Sequence, residues 1–436
     1  MQADLIIHAR WLATMDSANG QLAQHQAIVI KDGNIVAIEA SDDCRWQAEH
    51  VEQLNDHVVL PGFINSHGHA AMSLFRGMAD DQPLMTWLQE HIWPAEARWV
   101  DHDFVRDGTR LAIAEMLLSG TTTFADMYFY PQACAEAAVE AGIGAVIFTP
   151  IIDFPTNFAQ NADEYIRKAI DAHDHHRHNP LLTFGFGPHA PYTVSDEPLK
   201  EITTLADQLD LPVQIHLHET AFEVEQSLEL HGLRPSHRLA ELGFLTERVS
   251  CVHMTQVDDS DIQLLTRSGA SVVHCPESNL KLASGFCPIH TLLKSGVNVG
   301  LGTDGAASNN DLNLQGEMKT AAMLAKAVAG DAAAVPAWQA LYCATMGSAK
   351  ALGIDETTGS LTVGKRADIQ AIRLTELPQQ PLYDPISQLV YTDASRHLSH
   401  CWVAGKAKVR DGQLTDNSLD SLTAIASSWQ QRIRAQ

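Results

Sequence analysis

Two histidines stand two residues apart in Asn65-Ser66-His67-Gly68-His69. In an extended segment that spacing sends both imidazoles to one side of the chain. Both can then reach one ion at the ~2.0–2.1 Å of a zinc–nitrogen bond. Alone, a His-x-His is a weak signal, because a core histidine needs no metal. It gains force from His216 and Asp304, which also stand just past short apolar runs. Three histidines and Asp304 leave a position open for water, whose pKa a catalytic zinc lowers to about 7. Glu219 lies three residues beyond His216. In a continuing strand the two would face opposite sides, so they converge only if the strand ends near His218 and the chain turns. His216 then ligates and Glu219 is free to donate a proton to a substrate, while Asp304 can serve as ligand and as base for the water.

Such residues need a scaffold that brings distant segments to one mouth. Eight apolar, β-rich runs cover 57–63, 121–125, 145–152, 182–186, 213–217, 249–252, 270–273 and 297–301. Helix-like stretches lie between most of them, at 132–141, 197–209, 234–242, 260–268 and 289–294. Ser195 before Asp196 and Glu197 reads as a helix N-cap. The alternation predicts a (β/α)8 TIM-like barrel over 61–360. Just past successive runs come His67 and His69, Asp126, Asp153, His189, His216 with Glu219, His253, His274 with Asn279, and Asp304. Barrel enzymes place their chemistry at that end of the strands. Residues 1–60 and 361–436 read differently, as strands at 27–38, 359–372 and 400–409 with Asp32-Gly33 and Asp411-Gly412 turn signals. They predict a small composite β-sandwich domain built from both chain ends.

Composition narrows the function further. Against 29 Lys+Arg stand 53 Asp+Glu, a net charge of −24, which disfavours nucleic acid and anionic membrane as partners. With 45% hydrophobic residues the chain can bury a large core. The longest nearly apolar run, 141–152, is too short for a bilayer, and no secretory leader is read at the start. Seven dispersed cysteines without CxxC spacing predict reduced thiols and a cytoplasmic protein.

At this point the residues resemble the amidohydrolase superfamily, in its nucleoside and triazine aminohydrolase branch. The motifs are Pro61-Gly62-Phe63-Ile64-Asn65-Ser66-His67-Gly68-His69, His216-Leu217-His218-Glu219-Thr220 and Gly302-Thr303-Asp304-Gly305. The chain is most similar to the 5-methylthioadenosine/S-adenosylhomocysteine deaminase family, over nearly its whole length. The resemblance implies one divalent metal per subunit, Zn2+ by preference, on His67, His69, His216 and Asp304. It implies that His253 polarises or orients the attacking water, that Glu96 accepts the ribose hydroxyls, and that His189 contacts the nucleoside. The implied reaction is hydrolytic deamination of 5′-methylthioadenosine to 5′-methylthioinosine and ammonia.

Two absences narrow it and one departure qualifies it. The fourth run ends at His189 without a lysine, so a second, lysine-bridged metal is not expected. The cytidine-deaminase pattern of His-x-Glu with Pro-Cys-x-x-Cys is absent. After the third run no arginine appears until Arg167 to fork a carboxylate, and Phe148 and Phe154 read as an apolar cover. The expected order is therefore 5′-methylthioadenosine first, adenosine tolerated and S-adenosylhomocysteine poor. The rivals are an aminohydrolase or chlorohydrolase of triazines or free nucleobases, and a non-catalytic assembly barrel. Glu96 argues against the first, and the complete ligand set with Glu219 against the second. Oligomeric state stays open, with a homo-oligomer compatible.

Other signals carry a plainer reading. Gly300-Leu301-Gly302-Thr303-Asp304-Gly305 matches GxGxxG, but a dinucleotide site needs a helix next, and 306–310 reads as loop. His173, His175, His176 and His178 read as a solvated helix end. Cys251 and Cys275 read as buried packing, as do Trp87 and Leu88. His274 and Asn279 are undecided, with loop packing as the default.

Overall fold

The first sixty residues form four strands, β1 (Gln2–Leu12), β2 (Ala23–Lys31), β3 (Asn34–Ala40) and β4 (Gln47–Pro61). Asp32 and Gly33, at φ 50° and 76°, make the tight β2–β3 turn that Asp-Gly favours. The barrel strands follow as β5 (Phe63–Asn65), β6 (Thr121–Met127), β7 (Gly144–Ile151), β8 (Leu182–Pro188), β9 (Val213–Leu217), β10 (Val249–His253), β11 (Ser271–His274) and β12 (Val299–Leu301). The chain then returns with β13 (Ile369–Arg373), β14 (Leu398–Val403), β15 (Lys406–Arg410) and β16 (Gln413–Leu414). The computed structural model describes residues 1–416 and 419–435.

Strands β5 to β12 pair in chain order, all parallel. The circle closes where Ser66 N–H donates to Leu301 O at 2.9 Å and Asp304 N–H to His67 O at 3.1 Å. Helices fill the connections, among them His102–Leu118, Pro131–Ala141, Asp196–Leu209, Pro235–Glu241 and Asp259–Ser268. This is the expected barrel, with His67, His69, His189, His216, Glu219, His253 and Asp304 at or just past the carboxyl ends of its strands and Glu96 on the helix Trp93–Trp99.

The other eight strands form one mixed sheet in the order β16-β15-β14-β13-β4-β1-β2-β3. The sheet folds over on itself. Ala367 N–H donates to Gly33 O at 2.9 Å and Ile35 N–H to Lys365 O at 2.9 Å, so Ile7, Ile28, Ile35, Ile369 and Trp402 share one buried core. Long β4 holds the two halves together by pairing β1 along one edge and β13 along the other.

Four sequence expectations change. Most of the run 57–63 belongs to β4, and the barrel strand restarts at Phe63 after Pro61 and Gly62. The segment expected as a strand at 359–372 is extended only over β13. Before it the chain wraps around Asp368, whose carboxylate accepts Thr358 Oγ1 at 2.8 Å, Arg366 Nε at 2.7 Å and Ala404 N–H at 3.0 Å. The run 400–409 is a hairpin, turned at Ala404 and Gly405 with φ 48° and 72°. The helix Leu419–Arg434, grouped by sequence with the sheet domain, docks on the barrel. There Trp429 is buried, donates to Asp107 Oδ2 at 2.9 Å and packs edge-on to Phe104.

Gly62 sits at the junction of sheet and barrel, where a Cβ would lie 2.1 Å from the Thr122 side chain. Gly62→Ala is expected to cost roughly 1–3 kcal/mol of overpacking, read as a lowered thermal midpoint. Adding Thr122→Gly should recover most of the loss.

Candidate active site

At the barrel mouth His67 Nε2 lies 3.2 Å from His216 Nε2 and 3.6 Å from Asp304 Oδ1. His69 Nε2 is 3.3 Å from the same Oδ1. His253 joins His67 and His216 in a second group whose ligand atoms lie within 4.8 Å of one another. Donors bonded tetrahedrally to one zinc at ~2.0–2.1 Å stand about 3.3 Å apart, so this spacing fits a shared cation.

The tautomers support that fit. His67 Nδ1 faces Gln214 Oε1 at 2.7 Å, His69 Nδ1 faces Met127 O at 2.7 Å, and His216 Nδ1 faces His189 O at 2.7 Å. Each partner is an acceptor, so each Nδ1 carries a proton and each Nε2 is the atom left facing the others and free to bind a cation. The Gln214 orientation is fixed in turn, because its amide donates to Ser66 O at 2.9 Å and Ser250 Oγ at 3.1 Å. A proton or a metal ion must lie between atoms this close: burial lowers His69, but the Asp304 carboxylate and then Met127 O outweigh it and raise it to about 9, so His69 carries that proton where no metal takes its place. His67, His69, His216 and Asp304 could therefore hold one divalent metal.

Strand β9 ends at Leu217, and His218 takes φ 53°. This is the turn that lets Glu219 share the mouth with His216. The Glu223 carboxylate holds it from below, accepting His218 N–H at 2.9 Å and Glu219 N–H at 2.8 Å. Glu219 Oε2 then lies 3.8 Å from His253 Nε2. Burial and the nearby Asp304 charge push the Glu219 carboxyl up to about 8. Asp304 goes the other way. Burial raises it, but contacts with His67 and His69 outweigh that and hold it well below the usual carboxylate range. Its second oxygen accepts Ser278 Oγ at 2.7 Å. The site thus pairs a protonated carboxylic acid with an ionised carboxylate.

A cavity of about 550 Å3 opens above these groups, a size suited to a small molecule. His69, His189, His216, Glu219, His253 and Asp304 line its inner end, and Glu96 stands on its wall. Tyr128 donates to Glu96 Oε1 at 2.7 Å, while burial raises the Glu96 carboxyl to about 7. His189 is held neutral by burial, and then by the neighbouring His69 and His67, at about 4. Its Nδ1 meets Thr193 Oγ1 at 3.0 Å.

The sequence reading missed several roles. Trp87 and Leu88 pack as expected but also line the cavity. Phe148 shares the inward parity of Pro150 on β7 but lies deeper, in the barrel interior with Ile64 and Val146. It is not part of the cover, whereas Phe154 is. Asn279 is more than loop packing, since its Oδ1 meets His253 Nδ1 at 2.8 Å. His274 stays outside the cavity, and burial lowers it to about 3. Asp126 accepts Ala70 N–H at 2.7 Å and Asp153 accepts Ser195 N–H at 2.8 Å, so both brace loops. The Ser195 side chain makes no cap bond. Tyr128 and Gln214 carried no motif; only their place near strand ends could have marked them.

The remaining signals keep their plain reading. Residues 306–310 form turns and no helix follows Gly305 directly. His175 and His178 are exposed, and the 173–178 cluster is absent from the candidate metal groups among the described residues. All seven cysteines are unpaired, six of them buried. No described helix is long and apolar enough to cross a membrane.

A parallel barrel with a histidine–aspartate cluster at its mouth and a flanking sheet domain defines a class. The chain belongs to the amidohydrolase family, whose model matches residues 58–408. Within it the chain belongs with the 5-methylthioadenosine/S-adenosylhomocysteine deaminases. The enzyme of that name from Saccharophagus degradans is 53% identical over 436 residues, covering 100% of this chain and 98% of its own. An adenosine deaminase from Xanthomonas campestris, crystallised with bound zinc, superposes with a TM-score of 0.98 at 45% identity, covering 100% and 99% of the two chains. A triazine hydrolase from Arthrobacter aurescens follows with TM-score 0.91 and 25% identity, over 98% and 99%.

Gln214→Leu removes the acceptor that fixes the His67 tautomer. Metal affinity should fall by about 10–100-fold, measured by competition against a chromogenic chelator, with little change in the far-ultraviolet circular dichroism.

Proposed function

We propose that this chain is a zinc-dependent hydrolase that replaces the 6-amino group of adenine nucleosides by oxygen and releases ammonia. Its preferred substrate is 5′-methylthioadenosine, with adenosine slower and S-adenosylhomocysteine poor. The observation that carries the reading is the pair Glu219 and Asp304. One is protonated and one ionised, on either side of a histidine cluster and at the foot of a wall that bears Glu96.

His67, His69, His216 and Asp304 would hold one divalent ion, for which zinc suits the nitrogen-rich donor set. Bound there, it supplies Lewis acidity and lowers the pKa of a water. The residues of this chain do the rest. His253 keeps its Nδ1 proton on Asn279 and offers Nε2 to orient the attacking water. Asp304 takes a proton from that water as its oxygen bonds to C6. Glu219 protonates ring N1, so negative charge does not accumulate on the purine. Asp304 then passes its proton to the amine. The C6–N bond breaks, the Glu219 carboxylate takes back a proton from the C6 hydroxyl, ammonia leaves, and the product keeps C6=O and N1–H. Glu96, anchored by Tyr128, accepts the ribose hydroxyls, and His189 contacts the nucleoside.

We assign the chemistry to the barrel, residues 61–360, and support to the composite domain of 1–60 and 361–436. The cytoplasm is the compartment that keeps seven unpaired thiols reduced. The rival reading, a triazine or free-base hydrolase, leaves the Glu96–Tyr128 pair without a substrate group to bind.

Glu219→Gln should lower kcat by roughly 10²–10⁴-fold while the metal content stays unchanged. Because the acid acts in its protonated form, kcat should fall as pH rises through about 8, and the variant should lose that limb. Chelation should abolish turnover, and added zinc should restore it. Activity confined to a free base or a chlorotriazine would overturn the nucleoside reading.

A further inference from the structure

The wall that carries Glu96 belongs to the long connection after β5. Leu84, Trp87, Leu88, Ile92 and Trp93 line the cavity ahead of Glu96, and they follow the loop Arg76-Gly77-Met78-Ala79-Asp80-Asp81. Gly77 and Asp81 take φ 67° and 62°, so two left-handed residues bracket Asp80. Among the described residues, Asp80 is the one side chain of 79–95 that makes a hydrogen bond or ion pair to another part of the chain. Its Oδ1 meets Lys281 Nζ at 2.7 Å, and its Oδ2 accepts Asn310 Nδ2 at 3.0 Å. Lys281 Nζ also donates to Asn310 Oδ1, which closes a ring of three side chains.

The partners of Asp80 sit on the elements that carry the chemistry. Lys281 ends the helix Pro276–Lys281, whose Ser278 and Asn279 bond to Asp304 and His253. Asn310 stands in the loop that follows Asp304. Arg76 donates to the Asn310 carbonyl and pairs with Glu115 on the helix His102–Leu118, so the ring is braced from the barrel side. Neither Asp80 nor Lys281 lines the cavity. The rest of the hold on the wall is Tyr128 on Glu96 and the burial of Trp87 and Ile92. Apolar packing is non-directional, so it presses the wall onto the barrel without setting how far Glu96 stands from Asp304. An ammonium shared between a carboxylate and an amide oxygen does set a direction and a distance.

We infer that Asp80 and Lys281 are positioning residues, whose ion pair fixes the Glu96 wall against the loops that bear Asp304 and Asn279. Ribose recognition is thereby coupled to the reacting centre, where a misplacement of one ångström costs as much as about a hundredfold. The inference rests on the deaminase reading above, which gives Glu96 to the ribose.

The test uses the zinc-loaded full chain with 5′-methylthioadenosine. Asp80→Asn is nearly isosteric but leaves one of its two donors facing an N–H, and Lys281→Met removes the ammonium. Each should raise KM by about tenfold or more while kcat stays within about threefold of the parent. The double variant should be no worse than the worse single one, because both cut the same contact. Hydrogen exchange read by mass spectrometry should speed up by about tenfold or more across 79–95 and stay unchanged in the barrel strands. Parent values of KM and of exchange in Asp80→Asn would overturn the inference, and this variant decides alone if Lys281→Met does not fold. Additive losses in the double variant would also overturn it. A parent enzyme inactive on every nucleoside would instead remove the deaminase reading, and the exchange measurement would then judge the ion pair by itself.

Discussion

The chemistry of this protein depends on where three protons sit. Gln214 Oε1, Met127 O and His189 O each accept a hydrogen bond from the Nδ1 of a mouth histidine, which leaves three Nε2 atoms and the Asp304 carboxylate facing one another around one position for a cation. Two of the acceptors are backbone carbonyls at or beyond strand ends, and the third is a side chain inside the barrel. The tautomers, and with them the capacity to hold a cation, therefore follow from strand register. A shift of one residue in a barrel strand would turn its inward side chains outward. The parallel ladder and the closing bonds from Ser66 and Asp304 to the opposite strands keep that register.

The same enclosure separates the two carboxyl groups by role. Glu219 and Asp304 are both buried, yet burial dominates at Glu219 and contact with imidazoles dominates at Asp304. An acid and a base can thus coexist at one pH, the usual way a single site moves protons in both directions. The turn at His218, held by Glu223 from below, keeps Glu219 on the cavity lining beside His253.

Among the described residues the composite sheet and the C-terminal helix add nothing to the cavity lining, but they set limits on the barrel. Strand β4 runs straight into β5 through Pro61 and Gly62, so the first histidine pair is anchored to a sheet whose other half comes from the far end of the chain. Trp429 pins the last helix onto the barrel helix His102–Leu118 through Phe104 and Asp107. Both chain ends thereby tie down the segment that leads to the mouth.

Much of this was legible in the residues. The alternation of apolar runs and helical stretches, with a titratable group just past each run, fixes the barrel and the convergence of His67, His69, His216, Glu219 and Asp304, because strand ends in a parallel barrel share one face. The positions of Asp32-Gly33 and Asp411-Gly412 fix two hairpins, because few other residues adopt positive φ in succession. Only the tertiary structure decided what depends on depth and on partners far along the chain. Phe148 and Pro150 have the same parity, and depth alone separates core from cavity wall. Asn279 and Gln214 look like ordinary polar residues until His253 and His67 are placed beside them. That no Lys or Arg lines the cavity among the described residues is likewise a property of packing, since sequence can list the cations of a segment but cannot say which of them a fold turns away.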